Sequence, residues 1–140
     1  MTQDFDHKIS ICIRKDLPEW QLINTAAHIA AYFGNKLGDK FGTGDYFVTN
    51  DKIDLPRNTQ YGIAILRADT KDLRRVRRRA NEAKVRWMGF TREMLDLLDD
   101  QDLQTEIGKK LADEIEYLGI GLYGSRAVLE GITKGVQAWK

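Results

Sequence analysis

Apolar and polar residues alternate from the start of the chain. In Lys-Ile-Ser-Ile-Cys-Ile-Arg, Ile9, Ile11 and Ile13 share one side of an extended backbone, which predicts a strand from Lys8 to Arg14. The period then changes. Leu22, Ile23, Ala26, Ala27, Ala30 and Phe33 recur at three- and four-residue spacing and predict a helix. Asp16 as N-cap, Pro18 in the first turn and Glu19 closing a capping box would start it, and Gly34-Asn35 offers a left-handed stop. Gly34 to Gln60 is rich in Gly, Asn and Asp, and only Tyr46-Phe47-Val48 resembles a strand there. Tyr61 to Ala68 is nearly continuous in apolar residues, the mark of a central strand covered on both faces.

A second helix follows, capped by Asp69 and Thr70, with a narrow stripe of Leu73, Val76, Ala80 and Ala83. Val85 to Phe90 reads as a third strand. After an acidic run from Asp96 to Asp102, the spacing of Leu103, Ile107, Leu111, Ile115 and Leu118 predicts a third helix, ended by Gly119. Ile120 to Tyr123 reads as the last clear strand and Arg126 to Thr133 as a short terminal helix, with Gly135 interrupting before Val136 to Trp139. Strands alternating with helices predict an α/β domain, with helices on both faces of a mixed sheet.

Composition narrows the class. At 140 residues, with 42% hydrophobic and 31% charged residues and two prolines, the chain is expected to form a single domain over residues 1–140, without a low-complexity arm. No apolar stretch approaches the roughly 20 residues of a membrane span, and Met1 to Lys8 lacks a signal-peptide pattern, so a cytoplasmic location is expected. Cys12 has no disulfide partner and falls within an apolar strand pattern. With only His7, His28 and Cys12 as soft ligands and no metal-ligand spacing, no metal is expected. Gly38, Gly42 and Gly44 lack the flanking strand and helix of a phosphate loop, so no nucleotide cofactor is expected either.

Two constellations carry candidate chemistry. Trp20, Asn24 and His28 recur every four residues and share one helical face, with Asp16 and Lys15 at the strand end before it and Thr91 as a further polar candidate. That is a candidate pocket; the competing reading buries Trp20 in the core and ties Asn24 to backbone. His28 has the intrinsic pKa of a general base, but beside Ala27 and Ile29 it also reads as a packed helical histidine. Arg74, Arg75, Arg77, Arg78 and Arg79 form the second constellation. Arg74, Arg75 and Arg78 are candidate phosphate ligands for tRNA or another RNA; alternatively the cluster is a solvated helix face paired with the acidic run, in keeping with a net charge of +1.

The opening Lys-Ile-Ser-Ile-Cys-Ile-Arg-Lys-Asp-Leu, the helix bearing His28, and Leu-Gly-Ile-Gly-Leu-Tyr-Gly through Ile132-Thr133-Lys134-Gly135 resemble the type 2 peptidyl-tRNA hydrolases. Asp16, Leu17, Pro18, Trp20 and Asn24 form an Asp-Leu-Pro-x-Trp-x-x-x-Asn signature similar to that of a bacterial branch, the domain-of-unknown-function family two thousand. The resemblance spans nearly the whole chain. It implies a three-layer α/β/α sandwich with a small mixed sheet, peptidyl-tRNA hydrolase type 2-like, often a homodimer. The hydrolases carry a lysine- and glycine-rich loop after Asp-Leu, followed by an active-site glutamine. Here Pro18 to Leu22 form a shorter segment without lysine, and Thr25 stands at the glutamine position when His28 is aligned with the family histidine. Three functions follow as expectations: a small-ligand or RNA-interacting module without esterase activity, a hydrolase using Lys15, Asp16, His28 or Thr91 as replacement groups, or a structural homodimer joined through Trp87 and Trp139.

Overall fold

The computed structural model describes residues 2–140. Five strands form one mixed sheet: β1 (His7–Arg14), β4 (Gly62–Ala68), β5 (Arg86–Thr91), β6 (Tyr117–Ser125) and β7 (Gln137–Ala138), in the order β5-β6-β1-β4-β7. β1 and β4 are parallel, while β6 is antiparallel to both β1 and β5, and β7 is antiparallel to β4. A separate hairpin of β2 (Tyr46–Val48) and β3 (Asp54–Pro56) stands apart from this sheet.

Two crossovers explain the layers. The chain runs from β1 through α1 (Glu19–Leu37) to β4, then through α2 (Thr70–Ala83) back across the sheet to β5. Because the second crossover reverses the direction of travel, a constant crossover handedness puts the two helices on opposite faces. α5 (Arg126–Ile132) joins α2 on its side. Ile9, Ile11 and Ile13 pack with Ile29, Phe33 and Leu118 under α1. Cys12, Ile120 and Leu122 pack with Leu73, Val76, Ala80 and Leu129 under α2 and α5. The alternation predicted for β1 is therefore the division between two cores, and the architecture is three-layer α/β/α around a mixed sheet.

Asp69 caps α2 as expected, in a reciprocal capping box with Asp72. Elsewhere the structure corrects local expectations. α1 starts after Pro18, which holds the N-cap position and has no side-chain group to cap with; Asp16 lies two residues earlier, where its carboxylate accepts two hydrogen bonds of 2.9 Å from Arg14. α1 also runs through Gly34 to Leu37 and stops at Gly38, which has φ +50°. The third helix is much shorter than its apolar spacing suggests. α3 (Arg92–Asp96) and α4 (Asp100–Ile107) replace it, a 3-10 turn covers Ala112–Glu114, and Leu118 is already in β6.

Gly119 is consequently a strand residue and not a helix stop. A Cβ there would lie 2.7 Å from Thr25 Cγ2, and one at Gly121 would lie 2.2 Å from Ile29 Cγ2. These glycines let α1 sit directly on the backbone of β6. β4 differs from expectation as well: α1 packs mainly on β6, β1 and β5, so the α1-side face of β4 is only partly covered, with Ile65 packed against the core under α1 and Ile63 exposed. Among the described residues, no helix is long and apolar enough to cross a membrane.

Candidate functional site

The four-residue spacing on α1 places Trp20, Asn24 and His28 along the flank that faces β5. Met88 and Phe90 of β5 form the floor opposite them, and the His28 ring stacks on Phe90 with centroids 4.6 Å apart. Beyond Phe90 the chain turns at Thr91, whose hydroxyl accepts a hydrogen bond from the Met94 N–H at 3.2 Å and so begins α3. α3 and the following link supply Met94, Leu95, Leu97 and Leu98. Asp99 then caps α4 through the N–H groups of Gln101 and Asp102, setting Asp100 and Leu103 at the far wall.

The result is an open groove of about 570 Å³, within the range of small-molecule sites. Its walls are mostly Met, Leu and Phe, and its polar groups are Asn24, His28 and Asp100. Trp20 is 60% exposed at its edge and is not a core residue. A flat apolar body could stack or slide along these walls, with the Asn24 amide and the imidazole as hydrogen-bonding groups at one side.

The other pocket candidates lie elsewhere. Lys15 is exposed, and its backbone N–H donates to Ala68 O at 2.9 Å. Asp16 belongs to a chain of polar contacts at the end of β1. Arg14 bonds Asp16 and also approaches Glu116 at 3.6 Å, while Arg92 donates to Glu116 at 2.6 Å and to Gln21 at 3.1 Å. The Arg14 hydrogen bonds hold the Asp16 carboxyl below the usual carboxylate range. Thr91 is buried and serves as the cap of α3. The structure thus brings Trp20, Asn24 and His28 into one groove and leaves Lys15, Asp16 and Thr91 outside its lining.

Next to the polar chain, Glu93 is buried and accepts a hydrogen bond from Lys110 Nζ at 2.6 Å. Burial works to raise its carboxyl, but hydrogen bonds from Lys110, its own backbone N–H and Thr91 outweigh that and hold it below the ordinary value.

The arginine helix is largely engaged within the fold. Arg75 pairs with Asp72 at 2.7 Å, Arg77 and Arg78 with Asp113 at 2.7 and 3.4 Å, and Arg79 donates to Ile132 O at 3.4 Å. Arg74 is exposed. The partners are Asp72 and Asp113, not the acidic run expected from sequence: α2 lies on one face of the sheet, and the acidic run lies with the groove on the α1 side.

Sequence spacing revealed the α1 wall of the groove but not the opposite wall. The available signal was Met94-Leu95-x-Leu97-Leu98, an apolar cluster running into an acidic stretch, with Leu98 fully exposed in the structure. Apolar residues that the fold leaves in water beside a cavity are the usual surface mark of a binding site.

Fold and groove together define a small three-layer α/β protein with a ligand-sized, mostly apolar groove beside one helix. A family model described as a protein of unknown function, DUF2000, matches residues 7–140, and the chain belongs to that family. Among solved structures, the chain is similar to the protein of unknown function Atu0240 from Agrobacterium tumefaciens strain C58. That similarity has 22% identity and a TM-score of 0.87, covering 98% of this chain and 100% of the other. No curated protein matches the chain.

Proposed function

We propose that the protein is a binding module that takes a small ligand with an apolar or aromatic body into the groove between α1, β5, α3 and α4. On this reading its resemblance to the type 2 peptidyl-tRNA hydrolases is one of scaffold, without inherited esterase chemistry. The observation that supports it is the meeting of Trp20, Asn24 and His28 with the walls built by Met88, Phe90, Met94 and Leu97. Burial of apolar ligand surface supplies the affinity, and the amide and imidazole select the polar end.

Catalysis by replacement groups fits the geometry less well. Asp16 is taken by Arg14, Thr91 is a buried cap, and Lys15 lies at the strand end away from the groove lining. An acid–base mechanism needs its groups within hydrogen-bond reach of one reacting atom. An RNA partner has weaker support too, because Arg75 and Arg77 hold carboxylates at 2.7 Å and Arg78 shares Asp113 at the surface, which leaves Arg74 as the exposed candidate without such a pair among the described residues.

Titration with indole, 2-naphthamide and 2-naphthoate, followed by NMR shifts of the Asn24 amide and His28 ring, tests the proposal. Binding weakened about tenfold by Trp20→Ala, the worth of one aromatic face, supports it. Unchanged affinity in Trp20→Ala sinks it, as does release of tRNA from peptidyl-tRNA that His28→Ala abolishes.

A further inference from the structure

The groove beside α1 is one-sided in charge. Apart from the His28 imidazole, the one ionisable side chain in its lining is Asp100, and among the described residues no lysine or arginine contributes to its walls. Asp100 stands on the far wall, where the acidic run borders the opening, with Asp96, Asp99 and Asp102 within four positions of it. Trp20 stands at the rim on the α1 side with its indole exposed, and an aromatic face attracts a cation and not an anion.

The carboxylates of this run are not neutralised within the fold. Asp96, Asp100 and Asp102 are exposed, and among the described residues none of the three is in an ion pair. The neighbouring cations are already held: Arg92 by Glu116, Lys109 by Glu106 and Lys110 by Glu93. A helix start ordinarily favours an anion, but at α4 the Asp99 carboxylate accepts from the Gln101 and Asp102 N–H groups at 2.8 and 3.1 Å and so supplies that negative charge itself. An anionic ligand would therefore meet unpaired like charge on this wall, and a cationic one a free carboxylate.

We propose, resting on the binding-module reading above, that the ligands of this groove are aromatic amines, with the flat apolar body between α1 and the wall of Met94 and Leu97 and the ammonium at the Asp100 carboxylate. Affinity still comes from the apolar walls. Asp100 decides between bodies of the same shape that differ in charge, because it attracts one sign and repels the other. It is exposed, so water and salt screen its field, and its pair with an ammonium is worth about fivefold in affinity at low salt.

Three probes of one shape carry different charge near neutral pH: 2-naphthylmethylamine is a cation, 2-naphthamide is neutral and 2-naphthoate is an anion. Titrated at low salt, the amine should bind about fivefold more tightly than the amide, and the naphthoate most weakly. The amine's advantage should fade near about 1 M salt, where the Debye length is about 3 Å. Asp100→Asn should bring the amine to within about twofold of the amide. Glu82→Gln removes the same charge from an exposed position on α2, across the sheet, and should leave the advantage intact. Naphthoate binding as tightly as the amine, an advantage that survives Asp100→Asn, or one that Glu82→Gln abolishes would overturn the assignment. Equal binding of all three probes that still depends on Trp20 would overturn it too, while leaving the binding-module reading standing; binding indifferent to Trp20, or no binding at all, would end both.

Discussion

Gly121→Ala tests how α1, and with it the ligand groove, is seated. The added Cβ would meet Ile29 Cγ2 at 2.2 Å and Phe33 Cε2 at 2.7 Å. Both side chains are fully buried, so they can yield only by leaving their rotamers or by lifting the helix. Overpacking a well-filled core costs about 1–3 kcal/mol, and two clashes with buried groups put this substitution near about 3 kcal/mol. For a chain of this size, that corresponds to a fall in Tm of roughly 10 °C. Gly131→Ala is the control: it lies in α5, is exposed, and its Cβ meets nothing within 4 Å, so it should be neutral or stabilise by about 0.5 kcal/mol. Urea unfolding gives both values. Ile29→Ala alone should cost about 2–5 kcal/mol, but in the double variant the deleted side chain makes room for the new methyl. The pair should then lose at least about 1 kcal/mol less than the sum of the singles. Strict additivity, or Gly121→Ala within about 0.5 kcal/mol of wild type, would refute the claim that this glycine sets the helix–sheet distance.

Glu93 predicts a pH dependence. Its carboxyl is held below the ordinary 4.5, so the folded state binds its proton less readily than the unfolded chain. The resulting stability is present above about pH 4.5 and is lost as pH falls through the folded-state value. Glu93→Gln should cost about 1–2 kcal/mol at neutral pH and flatten this acid limb in unfolding curves taken across that range. Burial, with a smaller contribution from the Asp72 charge, pushes the Cys12 thiol up to about 12, so iodoacetamide at mildly alkaline pH should modify it only after denaturation; rapid labelling of the native protein would contradict the packing described. Arg75→Glu with Arg78→Glu should leave tRNA binding within about twofold at low salt, because both guanidinium groups already pair with carboxylates. A loss of tenfold or more by fluorescence anisotropy would restore the phosphate-binding face.

The elements with strong local signals were legible. β1, β4 and β5 lie within a residue or so of their apolar runs, and α2 begins at the Asp69 cap. Ile115 and Leu118 misled because their spacing from Leu111 continues a helical period although the chain has already straightened for β6. β3 was missed because Asp54-Leu55-Pro56 has little strand character, and its pairing with β2 comes from the hairpin rather than from its own composition. On the site side, Trp20, Asn24 and His28 were legible as one face because helical spacing makes neighbours of residues four apart. The wall of Met88, Phe90, Met94 and Leu97 was not, since it is separated from them by 60 to 77 positions along the chain.

By itself, then, the sequence determined the strong local periods: that β1, β4 and β5 are extended and α1 and α2 helical, which side of β1 is apolar, where α2 is capped, and which three side chains line up along α1. These are local quantities, set by backbone geometry and by neighbours within a turn or a strand. Tertiary structure decided which faces found cover. It gave Asp16 to Arg14 in place of the helix start, pulled α1 down onto Gly119 and Gly121, and laid β5 and α3 beside the α1 flank to close a groove. It also left Ile63 of β4 and the apolar side chains of the β2–β3 arm exposed. Those outcomes depend on which distant surfaces meet and how closely two backbones approach, and spacing along one chain carries no measure of either.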